Sequence, residues 1–117
     1  MNAPTALPGF GETANLLLDQ QSIAQYGSYS LSGSIKNYNT LLVLLANTNN
    51  ANEVKPYYIP VAIARSYTRF DCSWNATDST SWYIVCTITF ASDTSIEIPK
   101  LQKAGFTDAR LIIYGLK

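Results

Sequence analysis

The sequence contains no histidine among its 117 residues. This absence excludes Ser-His-Asp and Cys-His nucleophile arrangements and removes the commonest general base and the usual ligand of zinc sites. Glycine-rich phosphate loops and the close carboxylate runs of calcium loops are also missing. The scattered acids leave open a two-carboxylate glycosidase site assembled by the fold, for example from Asp71 and Glu97. The favoured prediction is a protein that is not an enzyme and has no metal or cofactor.

Charge is scarce as well. Asp, Glu, Lys and Arg make up 14% of the chain, against about 25% in ordinary soluble domains. Because eight acidic residues balance eight basic ones, no strong field attracts nucleic acid or an anionic membrane. The longest apolar run, at 41–46, is far shorter than the roughly 20 residues that cross a bilayer. We therefore expect no nucleic-acid partner and no membrane insertion, and the N-terminus lacks the pattern of a secretory signal.

The sequence is rich in short β-branched and aromatic segments, separated by Gly, Asn, Asp, Ser or Pro. They predict strands at 14–19, 27–32, 40–47, 57–65, 68–75, 82–91, 94–98 and 109–116. Single helical turns are the alternative at "DQQSIAQY" (19–26) and "PKLQKAG" (99–105). Pro60 cannot donate to a strand ladder, so its strand either starts there or runs along a sheet edge.

Two of these segments, "LLVLLAN" and "ARLIIYGLK", have apolar residues on both faces. That pattern is typical of strands inside a sandwich or against another subunit. The sequence therefore predicts an all-β, antiparallel two-sheet sandwich of about eight strands, jelly-roll-like, over residues 14–117. Residues 1–13, with two prolines and two glycines, are expected to form a flexible lead-in.

Alternation predicts the register of one hairpin, in which 68–75 folds back on 82–91. One face then holds only apolar pairs: Phe70 with Ile88, Cys72 with Cys86, and Trp74 with Ile84. The other face is largely polar and carries Arg69, Asp71, Ser73 and Asn75 opposite Thr89, Thr87, Val85 and Tyr83. A shift of one residue would mix the two faces, so the pattern favours this pairing.

The two cysteines are the only pair available for a disulfide. Directly opposed β-carbons lie about 4.5 to 5.5 Å apart, slightly beyond the separation of a relaxed disulfide. Nothing in the sequence indicates an oxidising compartment. Two reduced, buried thiols are therefore favoured over a bridge.

Aromatic residues make up 12% of the chain and can fill a core or bind a partner. Trp74 and Phe90 fall on the apolar face of the hairpin and are predicted to be core. For Tyr57, Tyr83 and Trp82 the core and surface interpretations are nearly balanced. The candidate ligand-binding residues are Trp82, Tyr83, Asp71, Arg69 and Tyr57, of which Trp82 and Tyr83 are preferred as surface contacts.

Four stretches carry a resemblance to a known group: "SIKNYNTLLVLL", "YYIPVAIAR", "FDCSW…SWYIVCTITFASDTSIEI" and the closing "ARLIIYGLK". In this order they resemble the small β-sandwich domains of bacteriophage tail-fibre and baseplate proteins. The resemblance spans residues 34–117 and includes no catalytic signature.

The resemblance implies a virion component near the distal end of the tail, made in the bacterial cytoplasm and often trimeric. Such a protein contacts the host surface, commonly its polysaccharide or teichoic acid. Because no long stalk precedes residue 14, the chain is expected to attach noncovalently or to be a separate accessory protein. The alternatives are a structural head decoration or tail adaptor that binds only other virion proteins, and a cellular carbohydrate-binding or adhesion domain.

Overall fold

Strands dominate the chain in the computed structural model, which describes residues 5–6, 13–47, 54–67, 69–75, 83–105 and 108–117. Within these residues the strands are β1 (Thr5–Ala6), β2 (Thr13–Gln20), β3 (Ser28–Ser30), β4 (Thr40–Asn47), β5 (Val54–Pro60), β6 (Phe70–Asn75), β7 (Tyr83–Ser92), β8 (Ser95–Ala104) and β9 (Ala109–Leu116). A 3-10 turn, η1 (Ile35–Asn37), precedes β4, and a short helix, α1 (Val61–Ser66), follows β5.

The described strands form two antiparallel sheets, which confirms the predicted all-β sandwich. The five-stranded sheet has the order β1-β2-β9-β4-β5, and the four-stranded sheet has the order β3-β8-β7-β6. The chain crosses from one sheet to the other four times: between β2 and β3, β3 and β4, β5 and β6, and β8 and β9. In contrast, β4 and β5 form a hairpin, and β6, β7 and β8 form a meander.

The main core lies between the two sheets. Its fully buried side chains come from both of them and include Leu41, Val43, Leu45, Ile84, Ile88, Ile96, Ile98, Leu111 and Ile113. Side chains on a strand alternate between faces, which places these residues on the inner face of each sheet. Trp74 is also buried in this core, as predicted, and Phe90 packs against it half-buried.

The predicted register of the β6–β7 hairpin is confirmed. Phe70 pairs with Ile88, Cys72 with Cys86, Trp74 with Ile84, and the polar face pairs Asp71 with Thr87 and Asn75 with Tyr83. Cys72 and Cys86 are buried and free, as expected. The loop between the strands lies outside the described residues.

The strand predicted at 57–65 is wrong in its second half. The strand ends at Pro60, whose extended backbone (φ −56°, ψ 136°) immediately precedes α1. Val61 and Ala64, three residues apart on one face of α1, are its buried residues, and this helical spacing replaces strand alternation. The edge interpretation of Pro60 is confirmed, because β5 is the outermost strand of its sheet, but the strand ends there instead of starting.

Neither of the two proposed helical turns forms. Residues 99–104 belong to β8, and Pro99 lies where the β7–β8 register shifts between Thr87 and Thr89, a bulge that tolerates proline. Gly105 follows with a left-handed φ of 81°. Beyond Gln20, residues 21–27 form bends and a turn, and Tyr26 has a φ of 67°.

The start of the chain contributes one short pairing. Thr5 and Ala6 pair with Ala14 and Thr13, which adds β1 to the edge of β2. The remaining positions of the predicted lead-in, 1–4 and 7–12, lie outside the described residues. Among the helices of the described part of the chain, none has the length and hydropathy that crossing a bilayer requires.

Candidate functional site

The predicted polar face exists and forms the outer surface of the four-stranded sheet. Asp71 is exposed on β6 and Tyr83 is half-buried on β7, and both belong to this face. Thr87 donates a hydrogen bond of 2.7 Å from its hydroxyl to the Asp71 carboxylate. Arg69 is exposed directly before β6. Trp82 lies outside the described residues, so its placement stays a prediction.

The same face continues onto β8. Thr87 is opposite Lys100, and Val85 is opposite Gln102. The surface therefore offers hydrogen-bonding groups of both charge signs, spread over an open sheet. It can bind a partner through many weak contacts, but it does not enclose a ligand.

Tyr57, the fifth predicted residue, has a different position. Its hydroxyl donates to the backbone oxygen of Ser73 and accepts from the backbone N–H of Ser73, each at 2.8 Å. Ser73 lies on β6, the edge of the four-stranded sheet, and Tyr57 on β5, the edge of the other. The tyrosine therefore links the edges of the two sheets.

A concave site lies at one end of the sandwich, where α1 meets the β7–β8 turn. It has a volume of about 270 Å³ and is lined by Ile35, Ala64, Arg65, Ser66, Tyr67, Phe90, Ala91, Ser92 and Asp93. We call it the Arg65–Asp93 cleft. It brings together three segments that are far apart in the sequence: η1, the end of α1, and the end of β7.

An ion pair crosses this cleft. Arg65 Nε donates to Asp93 Oδ1 at 3.0 Å, and Arg65 Nη2 donates to Asp93 Oδ2 at 3.3 Å. The side chains are 52% and 34% exposed, so both also face solvent. This two-point contact fixes the plane of the guanidinium while leaving its remaining N–H groups available.

The β7–β8 turn is held in place by its backbone. The backbone oxygens of Asp93 and Thr94 accept N–H bonds of 2.8 Å from Ile35 and Leu31. The Ser92 hydroxyl accepts the Thr94 N–H at 3.1 Å. Asp93 is therefore presented by a rigid turn, as a recognition group requires.

Two aromatic rings border the cleft. Tyr67 follows α1, its N–H capping the Ile63 carbonyl at 3.0 Å, and it remains 63% exposed. Phe90 is half-buried and contacts Phe70 edge to face, with ring centroids 5.7 Å apart. The cleft thus combines a fixed ring, an exposed ring and a planar ion pair, which suits a ligand with both apolar and hydroxyl surfaces.

Sequence reasoning missed this site. The sequence placed Arg65 at the end of a strand, whereas α1 turns it toward the β7–β8 turn. The strands predicted at 82–91 and 94–98 leave a turn between them, but nothing in the sequence indicated that Asp93 would meet a residue 28 positions earlier. Only the contact between α1 and that turn creates the cleft.

Groups suited to catalysis are separated or inert. Asp71 and Glu97 lie on β6 and β8 with β7 between them, so their backbones are about 10 Å or more apart. Burial, with the nearby Asp71 charge, raises the pKa of Cys72 to about 12, and burial likewise raises that of Cys86 to about 12. Within the described ranges, no cluster of three or more His, Cys, Asp or Glu side chains could hold a metal ion.

The outer face of the five-stranded sheet is apolar. Ala14, Leu42 and Leu116 are buried there, and Leu44 and Tyr114 pack against them. The neighbouring Asp19 carboxylate pairs with Arg110 at 2.7 Å, and this hydrogen bond raises the pKa of Arg110. The sequence expectation of apolar residues on both faces of β4 and β9 is therefore confirmed.

Comparison with known proteins identifies no relative of this chain. No protein-family model, no curated protein and no solved structure matches the chain. Among the described residues, the Arg65–Asp93 cleft is a concave site of a size that suits a small ligand.

Proposed function

We propose that this protein is a non-enzymatic saccharide-binding module and that the Arg65–Asp93 cleft holds one sugar ring. The observation that carries the proposal is the meeting of Tyr67 and Phe90 with the Arg65–Asp93 pair around a cavity of about 270 Å³. That volume is just below the roughly 300 Å³ at which sites for drug-sized ligands begin. A single ring is therefore the appropriate size of ligand.

The chemistry of a sugar matches these groups. A pyranose has C–H faces that pack on aromatic rings and a rim of hydroxyls that donate and accept hydrogen bonds. Tyr67 and Phe90 supply the rings, while Arg65 supplies donors and Asp93 supplies acceptors. Because the cleft is open to solvent, we expect weak binding at each site.

The biological setting we propose is the one that the resemblance implies: a bacteriophage tail-fibre or baseplate component in the virion that recognises the host-surface polysaccharide. We also propose a homo-oligomer, with a trimer favoured. Several copies on one particle would convert weak single-site binding into firm attachment, since linked sites act at high effective concentration.

A second candidate is a structural virion protein that binds only other virion proteins. The apolar outer face of the five-stranded sheet favours it, because Tyr58 and Val54 extend this face with 54% and 42% of their surface exposed. Paired apolar faces are common in subunit interfaces. Light scattering after gel filtration tests this candidate: a strict monomer at high concentration would contradict the structural role and also the proposed homo-oligomer, whereas a stable oligomer agrees with both candidates.

The saccharide proposal is tested by NMR titration with methyl glycosides and by adsorption to host cells. We expect amide shifts confined to residues 64–67 and 90–93, and at least tenfold weaker binding by Tyr67→Ala, which removes the exposed ring. Tyr26→Ala is the matched control, because Tyr26 is 81% exposed and does not line the cleft. Shifts centred on Tyr83, with adsorption lost in Trp82→Ala or Tyr83→Ala, would move the site to the polar sheet face. Absence of any binding would overturn the proposal.

A further inference from the structure

Resting on the proposed function, we infer that the Arg65–Asp93 cleft selects an uncharged sugar through two adjacent hydroxyls. The ion pair is the specificity element, and saccharides bearing carboxylate or phosphate are disfavoured.

The cleft is electrically balanced before any ligand arrives. Arg65 and Asp93 are the charged side chains in its lining, one of each sign. Both carboxylate oxygens of Asp93 already accept from the guanidinium. Within the lining, an incoming ligand therefore meets no uncompensated positive charge.

The pair still has unused hydrogen-bonding capacity. A guanidinium has five N–H groups, of which two point to Asp93, and a carboxylate has further lone pairs beyond the two in use. A hydroxyl donates one hydrogen bond and accepts others, so one hydroxyl can accept from Arg65 while its neighbour donates to Asp93. Two adjacent ring hydroxyls match this arrangement of donor and acceptor, because the ion pair fixes the positions of both groups.

An anionic group fits the same place poorly. An ionised carboxylate only accepts hydrogen bonds, and a phosphate is mainly an acceptor, so either group can use Arg65 but gains little from the Asp93 oxygens. It would also lie beside the Asp93 charge in a partly enclosed site, where like charges repel more strongly than in water. To gain Arg65 fully it would have to displace Asp93 from a two-point contact.

The apolar part of the lining agrees with this ligand class. Ile35 and Ala64 are buried, and Phe90 is half-buried beside them. Phe90 can pack on a C–H face, and the buried Ile35 and Ala64 keep the adjoining lining apolar. The neighbouring Ser92 hydroxyl is engaged within the turn with Thr94 and Ser95.

The test compares two classes of probe on the intact protein by NMR titration. The neutral probes are the methyl glycosides of glucose, galactose, mannose and N-acetylglucosamine, and the anionic probes are glucuronate, glucose 6-phosphate and inorganic phosphate. We expect at least one neutral glycoside to shift residues 64–67 and 90–93, and every anionic probe to bind at least tenfold more weakly than that glycoside.

Asp93→Asn should weaken the neutral glycoside by about tenfold and strengthen phosphate, because it leaves Arg65 without a neutralising partner. Asp19→Asn is the control: it breaks the other Arg–Asp pair, changes net charge equally and lies outside the cleft. Tighter binding of an anionic probe than of any neutral glycoside, or an unchanged Asp93→Asn, would overturn the selectivity while leaving saccharide binding intact. Failure of every probe in both classes would overturn the proposed function as well.

Discussion

The hydroxyl of Tyr57 lies 2.8 Å from both the backbone nitrogen and the backbone oxygen of Ser73. It satisfies two groups that the edge strand β6 would otherwise present to solvent. We predict that Tyr57→Phe lowers the free energy of unfolding by about 1 to 2 kcal/mol, measured by urea denaturation, since each hydrogen bond contributes about 1 kcal/mol. Tyr26→Phe removes a hydroxyl from a more exposed ring and should change stability little. Equal effects of the two would contradict the bridging role.

Gly115 is required by the ring of Tyr38. A β-carbon at position 115 would lie 2.5 Å from a Tyr38 ring carbon, and Tyr38 is also held by a 2.7 Å hydrogen bond from Asn15. We predict that Gly115→Ala costs about 1 to 3 kcal/mol of stability through overpacking. Gly33→Ala is the control, because its β-carbon would meet only Leu17 at 3.7 Å. A Gly115→Ala melting temperature equal to that of Gly33→Ala would contradict this packing.

The buried thiols predict a loss of stability at alkaline pH. The pKa values of Cys72 and Cys86 are raised to about 12 in the folded protein, above the ordinary value of 9.0. Between these values the unfolded chain releases thiol protons that the folded chain retains. The stability that depends on neutral thiols is therefore full below pH 9 and falls as pH rises toward 12.

The measurement is the free energy of unfolding at several pH values from 8 to 11, for the wild type and for Cys72→Ala/Cys86→Ala. We expect the wild type to lose up to about 1.4 kcal/mol per pH unit per thiol more than the double variant above pH 9. Parallel curves would show that the thiols ionise equally in both states.

Thiol-reactive dyes should modify both cysteines only after unfolding, because the thiolate is the nucleophile.

The buried Thr87 hydroxyl depends on Asp71. Thr87 is 4% exposed and donates to the Asp71 carboxylate at 2.7 Å. Asp71→Ala should therefore cost about 1 to 3 kcal/mol, since it leaves a buried donor unsatisfied. Thr87→Val in the same chain should recover most of that loss. A double-mutant cycle with no coupling energy would contradict the interaction.

The Arg65–Asp93 pair should contribute little to stability. Its side chains are 52% and 34% exposed, and exposed ion pairs contribute about 1 kcal/mol or less. We predict that Arg65→Ala and Asp93→Ala melt within a few degrees of the wild type. A large loss of stability in either would mean that the pair holds α1 on the β7–β8 turn, and would assign it a structural role.

Alternation in the sequence predicted the β6–β7 hairpin correctly because one face of the hairpin is apolar and the other largely polar, and a shift of one residue would mix the two faces. Alternation failed after Pro60, since "VAIARS" is short enough to fit either period, and the helix buries Val61 and Ala64 in the main core. It also shortened β8, because Pro99 was interpreted as a helix start although a bulge accommodates it.

The candidate site was less predictable than the fold. Asp71 and Tyr83 reach the predicted polar face because they belong to one hairpin, whose geometry is local. The cleft joins Arg65 to Asp93 through the packing of a helix on a distant turn, and short-range patterns contain no information about that contact.

The two hydrogen bonds between the Tyr57 hydroxyl and the Ser73 backbone limit how copies of this protein can associate. On the same side of the sandwich, β5 contributes Pro56 and Pro60, neither of which has an N–H to offer an added strand. Neither β5 nor β6 is therefore an open edge strand with which another chain could pair, so edge-to-edge aggregation on this side is suppressed. Copies of this protein that associate would therefore use the outer faces and ends of the molecule, or the opposite edges formed by β1 and β3.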